Sequence, residues 1–207
     1  MLATPFAPSA VSANGFKIVV RIPDPEQATL AASEGFGKPI DPALEKDVTE
    51  HLAACHFGLS FFSSEDEFAG FALYRRLGNI LCGGGMVLRT AFQAHGLGQI
   101  AIQTARVVSQ TEYLAFRTQS LRMWTAGKKA VSIWRPNPSG TDDPALAEAI
   151  ERAAIFLKVN QTVTSGFYGG PLYGKKPLYT KDAARQAWWD SICSFERGDA
   201  ILCVGRF

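Results

Sequence analysis

Apolar residues recur along the chain with two different periods. Residues 16–22 are rich in β-branched side chains and closed by Pro23, which predicts a first strand. Before it, residues 1–14 are Ala, Pro and Ser-rich and read as a flexible arm. Residues 24–38 are polar, carry Gly35 and Gly37, and can hold a short helix. Over 42–55 the period becomes helical: Leu44, Val48 and Leu52 share one face, Asp41 stands at the N-cap and Pro42 fits the first turn. Two short runs, 59–63 and 68–75, flank the acidic turn Ser64-Glu65-Asp66-Glu67 and read as a hairpin. The next run, 79–88, is apolar throughout, as expected of a strand in the middle of a sheet. Its three consecutive glycines, Gly83, Gly84 and Gly85, weaken such a strand, so they mark a bulge or the close approach of another group.

The second half alternates elements. A helix is predicted over 96–109, a strand over 113–117 and a helix over 121–130. Residues 134–141 form a Pro/Gly-rich connector, and Asp143-Pro144 opens a helix over 144–158. Residues 162–179 are dense in Gly, Tyr and Pro and read as loop with a short strand, followed by a helix over 181–197 and a strand over 200–207. This order predicts a mixed α/β (α+β) sheet with helices on both faces. One domain spans 15–207, with an elaboration at about 132–180.

Composition narrows the class. The 207 residues, 47% of them apolar and 19% charged, suit an ordinary globular protein that needs no disulfide staples. A net charge of +2 supplies no concentrated basic patch. The pairs Arg75-Arg76, Lys128-Lys129 and Lys175-Lys176 read as solvated surface charge, so nucleic acid is not the expected partner. Cys55, Cys82, Cys193 and Cys203 lack metal-ligand spacing and read as reduced thiols, and no metal site is expected. The start has no basic region ahead of its apolar residues, and no run approaches the roughly 20 apolar residues of a membrane span. A cytoplasmic protein without membrane partners is the expectation.

The chemistry concentrates where the strand 79–88 runs into the helix 96–109. A helix N-terminus presents unpaired N–H groups and a partial positive charge, and Gly96 and Gly98 let an anion approach the backbone. A bare Gly-x-Gly would serve a plain strand–helix turn equally well. The dinucleotide fingerprint fails because position 101 is Ala, and no Gly-Lys-Ser/Thr follows for a Walker loop.

Gln93-Ala94-His95-Gly96-Leu97-Gly98 matches Q/R-x-x-G-x-G/A at every defined position, and in this it resembles the GCN5-related N-acetyltransferase (GNAT) superfamily. Asp66-Glu67-Phe68-Ala69-Gly70-Phe71-Ala72 looks like that family's second hairpin, and Phe92 sits at its usual aromatic position. The likeness covers about 57–131, extends plausibly over 16–57, and fades beyond 131. It implies a mostly antiparallel central sheet whose fourth and fifth strands, here 79–88 and 113–117, splay apart. It implies acetyl-CoA, or another acyl-CoA, as co-substrate. The pyrophosphate would rest on the amides of Ala94, His95, Gly96, Leu97, Gly98 and Gln99, next to Gln93. The pantetheine would pair with the main chain of Val87 and Leu88, beside Arg89, with the thioester near the three glycines.

After the fifth strand the family often carries an Asn and then a Tyr that protonates the leaving thiolate. Here Gln119 takes the Asn's place and Trp124, whose indole is only a donor, falls near the Tyr position; both would line the cofactor. The candidate general acid is therefore Tyr173, with Tyr168 as alternate, from the loop at 165–179. The base stays open: the fourth strand has no Glu, the acidic turn reads as solvated charge, His51 and His56 have no evident partners, and a water can serve. His95 reads as solvent-facing, and a Cys82 nucleophile has no visible partner. The resemblance implies acetyl transfer to a small-molecule amine or a protein amino group, by direct attack within a ternary complex. A non-catalytic acyl-CoA-binding protein, an acyltransferase for a macromolecule such as aminoacyl-tRNA, and a homodimer also remain open.

Overall fold

Asn14-Gly15 folds the chain back near its start. Both residues take positive φ, 51° and 78°, as a two-residue hairpin turn of matching twist requires. Strand β1 (Ala10–Ala13) thereby pairs antiparallel with β2 (Phe16–Val20). The computed structural model describes residues 10–140 and 143–207. Of the arm expected over 1–14, residues 10–13 are thus a paired strand, and residues 1–9 lie outside the described residues. The Asn-Gly pair was the overlooked signal.

Helix α1 (Pro25–Phe36) is longer than its polar sequence suggests. Asp24 caps it, accepting from Glu26 N–H at 2.9 Å, and Ala28, Ala31 and Ala32 make a small buried face. That face lets α1 lie so close to the sheet that a Cβ on Gly35 would come 2.9 Å from the Leu88 carbonyl oxygen. Helix α2 (Pro42–Ala54) buries Val48 and Leu52, with Asp41 capping Leu44 N–H at 2.8 Å. Strands β3 (Phe57–Phe62), β4 (Phe68–Leu77) and β5 (Ile80–Leu88) follow as an antiparallel meander.

Helix α3 (Leu97–Ser109) carries the chain over to β6 (Tyr113–Thr118), which pairs parallel with β5. Then come α4 (Leu121–Ala130), β7 (Ile133–Arg135), α5 (Ala147–Leu157), β8 (Val163–Thr164), α6 (Ala183–Ile192) and β9 (Ala200–Arg206). The sheet order is β1-β2-β3-β4-β5-β6-β9-β7, with β8 also on β9, and every pairing except β5–β6 is antiparallel. The connector expected at 134–141 thus begins as an edge strand. The family's fourth and fifth strands are β5 and β6, because β1 precedes them.

Side-chain alternation divides the core between the two faces. Ala72, Tyr74, Leu81, Leu114 and Phe116 pack against Leu97, Ile102, Leu121 and Trp124 of α3 and α4. Phe71, Leu73 and Val87 pack under α1 and α2, while Cys82, Ala115 and Leu202 pack under α5.

One irregularity decides the middle of the sheet. Tyr74 pairs with Gly83, but Leu73 pairs with Gly85, so Gly84 is an extra residue in β5. The bulge inverts the alternation: Leu81 faces α3, whereas Val87 faces α1. It also coincides with the end of the β5–β6 ladder, whose last pair is Cys82 with Ala115. Both strands run on without pairing to each other, β6 to Thr118 alongside β9.

The helix expected over 181–197 stops at Ile192 because the chain is recaptured by a buried carboxylate. Asp199 is fully buried and accepts from Ser194 N–H (2.9 Å), Gly166 N–H (3.0 Å) and both Nε and Nη2 of Arg197 (2.7 Å each). It thereby ties the approach to β9 to the loop after β8. No helix among the described residues is long and apolar enough to cross a membrane.

The Arg197 hydrogen bonds, helped by the Ser194 and Gly166 N–H groups, hold the Asp199 carboxyl down at about 2. A depressed carboxyl stabilises the fold above its unfolded pKa of about 4, and the contribution fades as pH falls toward its folded value. Asp199→Asn should cost about 3 kcal/mol at pH 7, as expected for breaking a buried charge network. Denaturant titrations of both proteins should show that gap shrinking at pH 2.5.

Candidate functional site

The parting of β5 and β6 leaves a cavity of about 590 Å³ that runs through the sheet. Leu44, Val48 and Phe71 line it on the α1/α2 face, and Ile102, Leu114 and Met123 on the α3/α4 face. Gly83, Gly84 and Gly85 form its β5 wall. A Cβ on Gly83 would lie 3.0 Å from the Phe116 Cβ, whereas one on Gly85 would meet nothing closer than His51 at 4.0 Å. The glycine run thus gives the close approach at one end and the room at the other.

The loop from Gln93 to Gly98 leads from β5 into α3 and is tied to Leu88 and to Arg122 of α4. Ala94 and Gly96 take positive φ, 69° and 76°, and the N–H groups of Ala94, His95, Gly96, Leu97 and Gly98 have no partner among the described residues. Five free donors on a left-handed turn at a helix N-terminus are the arrangement that an anion-binding nest requires. Other side chains brace it. Gln93 donates from Nε2 to the Leu88 carbonyl at 3.1 Å and accepts from Arg122 at 3.4 Å. Asn14, from the β1–β2 turn, donates to the His95 carbonyl at 3.1 Å. His95 itself is exposed, with its ring beside Phe16. Gly98 serves helix packing as well, since a Cβ there would press on Ala126 of α4 at 3.1 Å.

Register corrects the strand contact. Arg89 N–H donates to the Ala69 carbonyl, so in the alternating ladder Val87 turns its main chain toward β4. Leu88 and Met86 turn theirs toward the opening, and Leu88 gives its carbonyl to Gln93. Met86 therefore replaces Val87 in the exposed edge.

Four other residues expected at the cofactor are engaged elsewhere. Arg89 is clamped by Glu34 at 3.0 Å and Glu67 at 2.6 Å, a triad that fixes α1 to the β3–β4 turn. Trp124 is fully buried, donates to the Pro136 carbonyl at 2.9 Å, and packs against Trp188 and Trp189. Gln119 is buried and spends its amide on the Phe195 carbonyl and Leu172 N–H, both at 3.0 Å. Gln99 reaches across to the Lys129 carbonyl at 3.3 Å.

The loop at 165–174 closes the α1/α2 side. Tyr168 N–H donates to Gly198, Gly174 N–H to Phe36 at 2.7 Å, and Lys38 Nζ to Pro171 at 3.0 Å. Tyr168 and Tyr173 both reach the cavity. Burial pushes the Tyr173 hydroxyl up to about 12, opposed by hydrogen bonding with Ser120 at the start of α4 and by Arg122. Burial raises Tyr168 further, against the nearby Arg117. Cys82 is buried under α5, and its thiol is pushed up to about 12 by burial, which makes it a poor nucleophile.

His51 belongs to the same cavity and was not recognised from sequence. Its Nδ1 lies 2.8 Å from the Asp47 carbonyl and 3.4 Å from the Asp47 carboxylate, one helical turn earlier. Nδ1–H donating there leaves Nε2 as acceptor, and Nε2 has no partner among the described residues. The i, i+4 spacing of Asp47 and His51 was the available signal.

A coenzyme A arm fits what is present: a nest for pyrophosphate, an unpaired β5 edge, and the buried Tyr74 hydroxyl, which lines the cavity without a hydrogen-bond partner. No protein-family model matches the chain, and no curated protein matches it. Solved structures match its fold. A GNAT family acetyltransferase from Elizabethkingia anophelis with acetyl-CoA bound aligns with 94% of this chain and 100% of its own, at 13% identity and a TM-score of 0.52. A protein described as a candidate phosphinothricin N-acetyltransferase aligns with 92% of this chain and 98% of its own, at 8% identity and a TM-score of 0.52. The chain has the GNAT fold that its Gln93–Gly98 loop resembles.

Gly96→Asp should therefore weaken acetyl-CoA binding by roughly 100-fold, because a carboxylate would occupy the nest. Asp tolerates positive φ better than most residues, so the fold should survive. Calorimetric titration together with circular dichroism checks both halves.

Proposed function

We propose that this protein is an acyl-CoA-dependent N-acetyltransferase that acts on a small primary amine. One observation carries the reading: in a GNAT fold, five backbone donors without partners among the described residues stand at the N-terminus of α3, just after a β5 whose ladder with β6 has ended early. The nest, the main chain of Met86 and Leu88, and the Tyr74 hydroxyl would hold the cofactor. When bound, its thioester supplies an activated acyl carbon at the glycine run.

The acceptor would enter from the α1/α2 side, beside the loop at 165–174, which is held there by bonds to Gly198, Phe36 and Lys38. His51, oriented by Asp47, takes a proton from the incoming ammonium through Nε2. The amine nitrogen forms its bond to the acyl carbon while the carbon–sulfur bond breaks. Tyr173 keeps its proton at neutral pH and delivers it to the departing sulfur; the proton taken by His51 returns to solvent, and the second proton, shed by the nitrogen as it becomes an amide, restores the Tyr173 phenol through water. This gives the phenol a route to the α4 N-terminus from a distant loop, in place of a Tyr on α4 itself. Tyr168, held against Arg117, is the less suited of the two.

Purified protein should bind acetyl-CoA and release thiol with some member of a small-amine panel. Binding with no turnover on any amine would favour a non-catalytic role. His51→Ala and Tyr173→Phe should each lower kcat by about 100-fold with little change in acetyl-CoA affinity. Single-turnover rates and calorimetry separate the two quantities.

A further inference from the structure

Arg117 lies across the opening from Gly84, two positions past the last β5–β6 pair, Cys82 with Ala115. Alternation along β6 turns it to the face of Ala115, toward the α1/α2 end of the cavity that it lines. Its guanidinium stacks on the Phe167 ring, 4.8 Å from the centroid. It has no carboxylate within ion-pair distance among the described residues. Burial lowers its pKa from the usual arginine range, with Tyr168 opposing, Arg75 adding to the drop and Asp47 opposing. A half-buried guanidinium without a carboxylate is an unusual wall for an apolar cavity, and its planar fork suits a bidentate oxyanion.

The opposite wall carries the complementary charge. Asp47 and His51 line the same cavity from α2, next to Gly85. Between the two walls, Phe36, Leu44, Phe167 and Leu172 are apolar. The cavity is therefore dipolar across its width: an anion's partner on β6, an ammonium's partner on α2, and the glycine run between them.

We infer that the acceptor is an amino acid, whose carboxylate pairs with Arg117 while its ammonium faces Asp47 and His51. This rests on the acetyltransferase reading above and specifies its substrate class. Pairing the carboxylate sets the amine at the level of Gly84 and Gly85, where the acyl carbon must lie. Tyr168 and Phe167 then act as positioning residues for Arg117.

The test compares the L-amino acids with their α-amides and with the corresponding decarboxylated amines. Thiol release is one readout, and calorimetric binding to the protein saturated with CoA is the other. At least one amino acid should be used with a kcat/KM about tenfold or more above its amide. Arg117→Met should raise the amino acid's KM by about 30-fold and leave the amide's kinetics and the acetyl-CoA affinity unchanged, and Arg117→Lys should restore part of the loss. A purely structural role for Arg117 would depress both acceptors equally, and that result overturns the inference. So would amides or simple amines used as well as amino acids, or no amino acid bound at all, in a protein that binds acetyl-CoA. Failure to bind acetyl-CoA would instead remove the reading beneath it.

Discussion

Gly84 enters β5 without a partner on β4, and much of the molecule's geometry follows from that extra residue. Up to Cys82 the strand is an ordinary central strand, paired on both edges and buried on both faces. Beyond it the alternation inverts and β6 is released. A Cβ at position 83 would lie only 3.0 Å from the Phe116 Cβ, so glycine eases the close approach from which the two strands diverge. The cavity, its two mouths and the free β5 edge are consequences of ending one ladder early.

The two ends of that cavity are built by different means. The nest at the α3 side is made of backbone, with positive φ at Ala94 and Gly96 and donors left over by a helix N-terminus. Backbone donors cannot titrate and move little, which suits an invariant pyrophosphate. The α1/α2 side is made of side chains from α2, β6 and the loop at 165–174. Its polar groups come from two elements, Asp47 and His51 from α2 and Arg117 from β6. Acceptor preference can therefore be altered there without disturbing the nest.

Much of this was legible in the sequence, and what was not has physical causes. The strands 68–75, 79–88 and 113–117 and the helices on either side carry clear periodicity, and the glycine run gave away the opening. Gln93 to Gly98 lead from β5 into α3, the strand-to-helix junction that the periodicity had marked. Short motifs carry no register, so Val87 was expected where Met86 stands; one bulge residue shifts every main-chain group by one. Arg89, Gln119 and Trp124 were named from neighbourhood in sequence, but their partners, Glu34, Phe195 and Pro136, are remote and decide their fate. The meeting of separate elements is invisible in one dimension, which also hid Arg117, whereas the Asp47–His51 spacing on α2 was legible and overlooked. Tyr173 was named from its loop, and its proximity to Ser120 depends on ties made at Asp199 and Phe36.

The place of β9 in the sheet has a consequence for how the protein assembles. β9 sits between β6 and β7, so the strand that carries Arg117 is flanked by a segment distant in sequence. The meander from β3 to β5 closes through short turns, and β6 follows it through the single helix α3. Inserting β9 closes a far longer loop, and non-local pairing of that kind is slow because its entropy must be spent before any contact is gained. The nest half of the site can thus form while the acceptor wall is still open. A folding intermediate of this chain would resemble a cofactor-binding half-site with one sheet edge, that of β6, still bare.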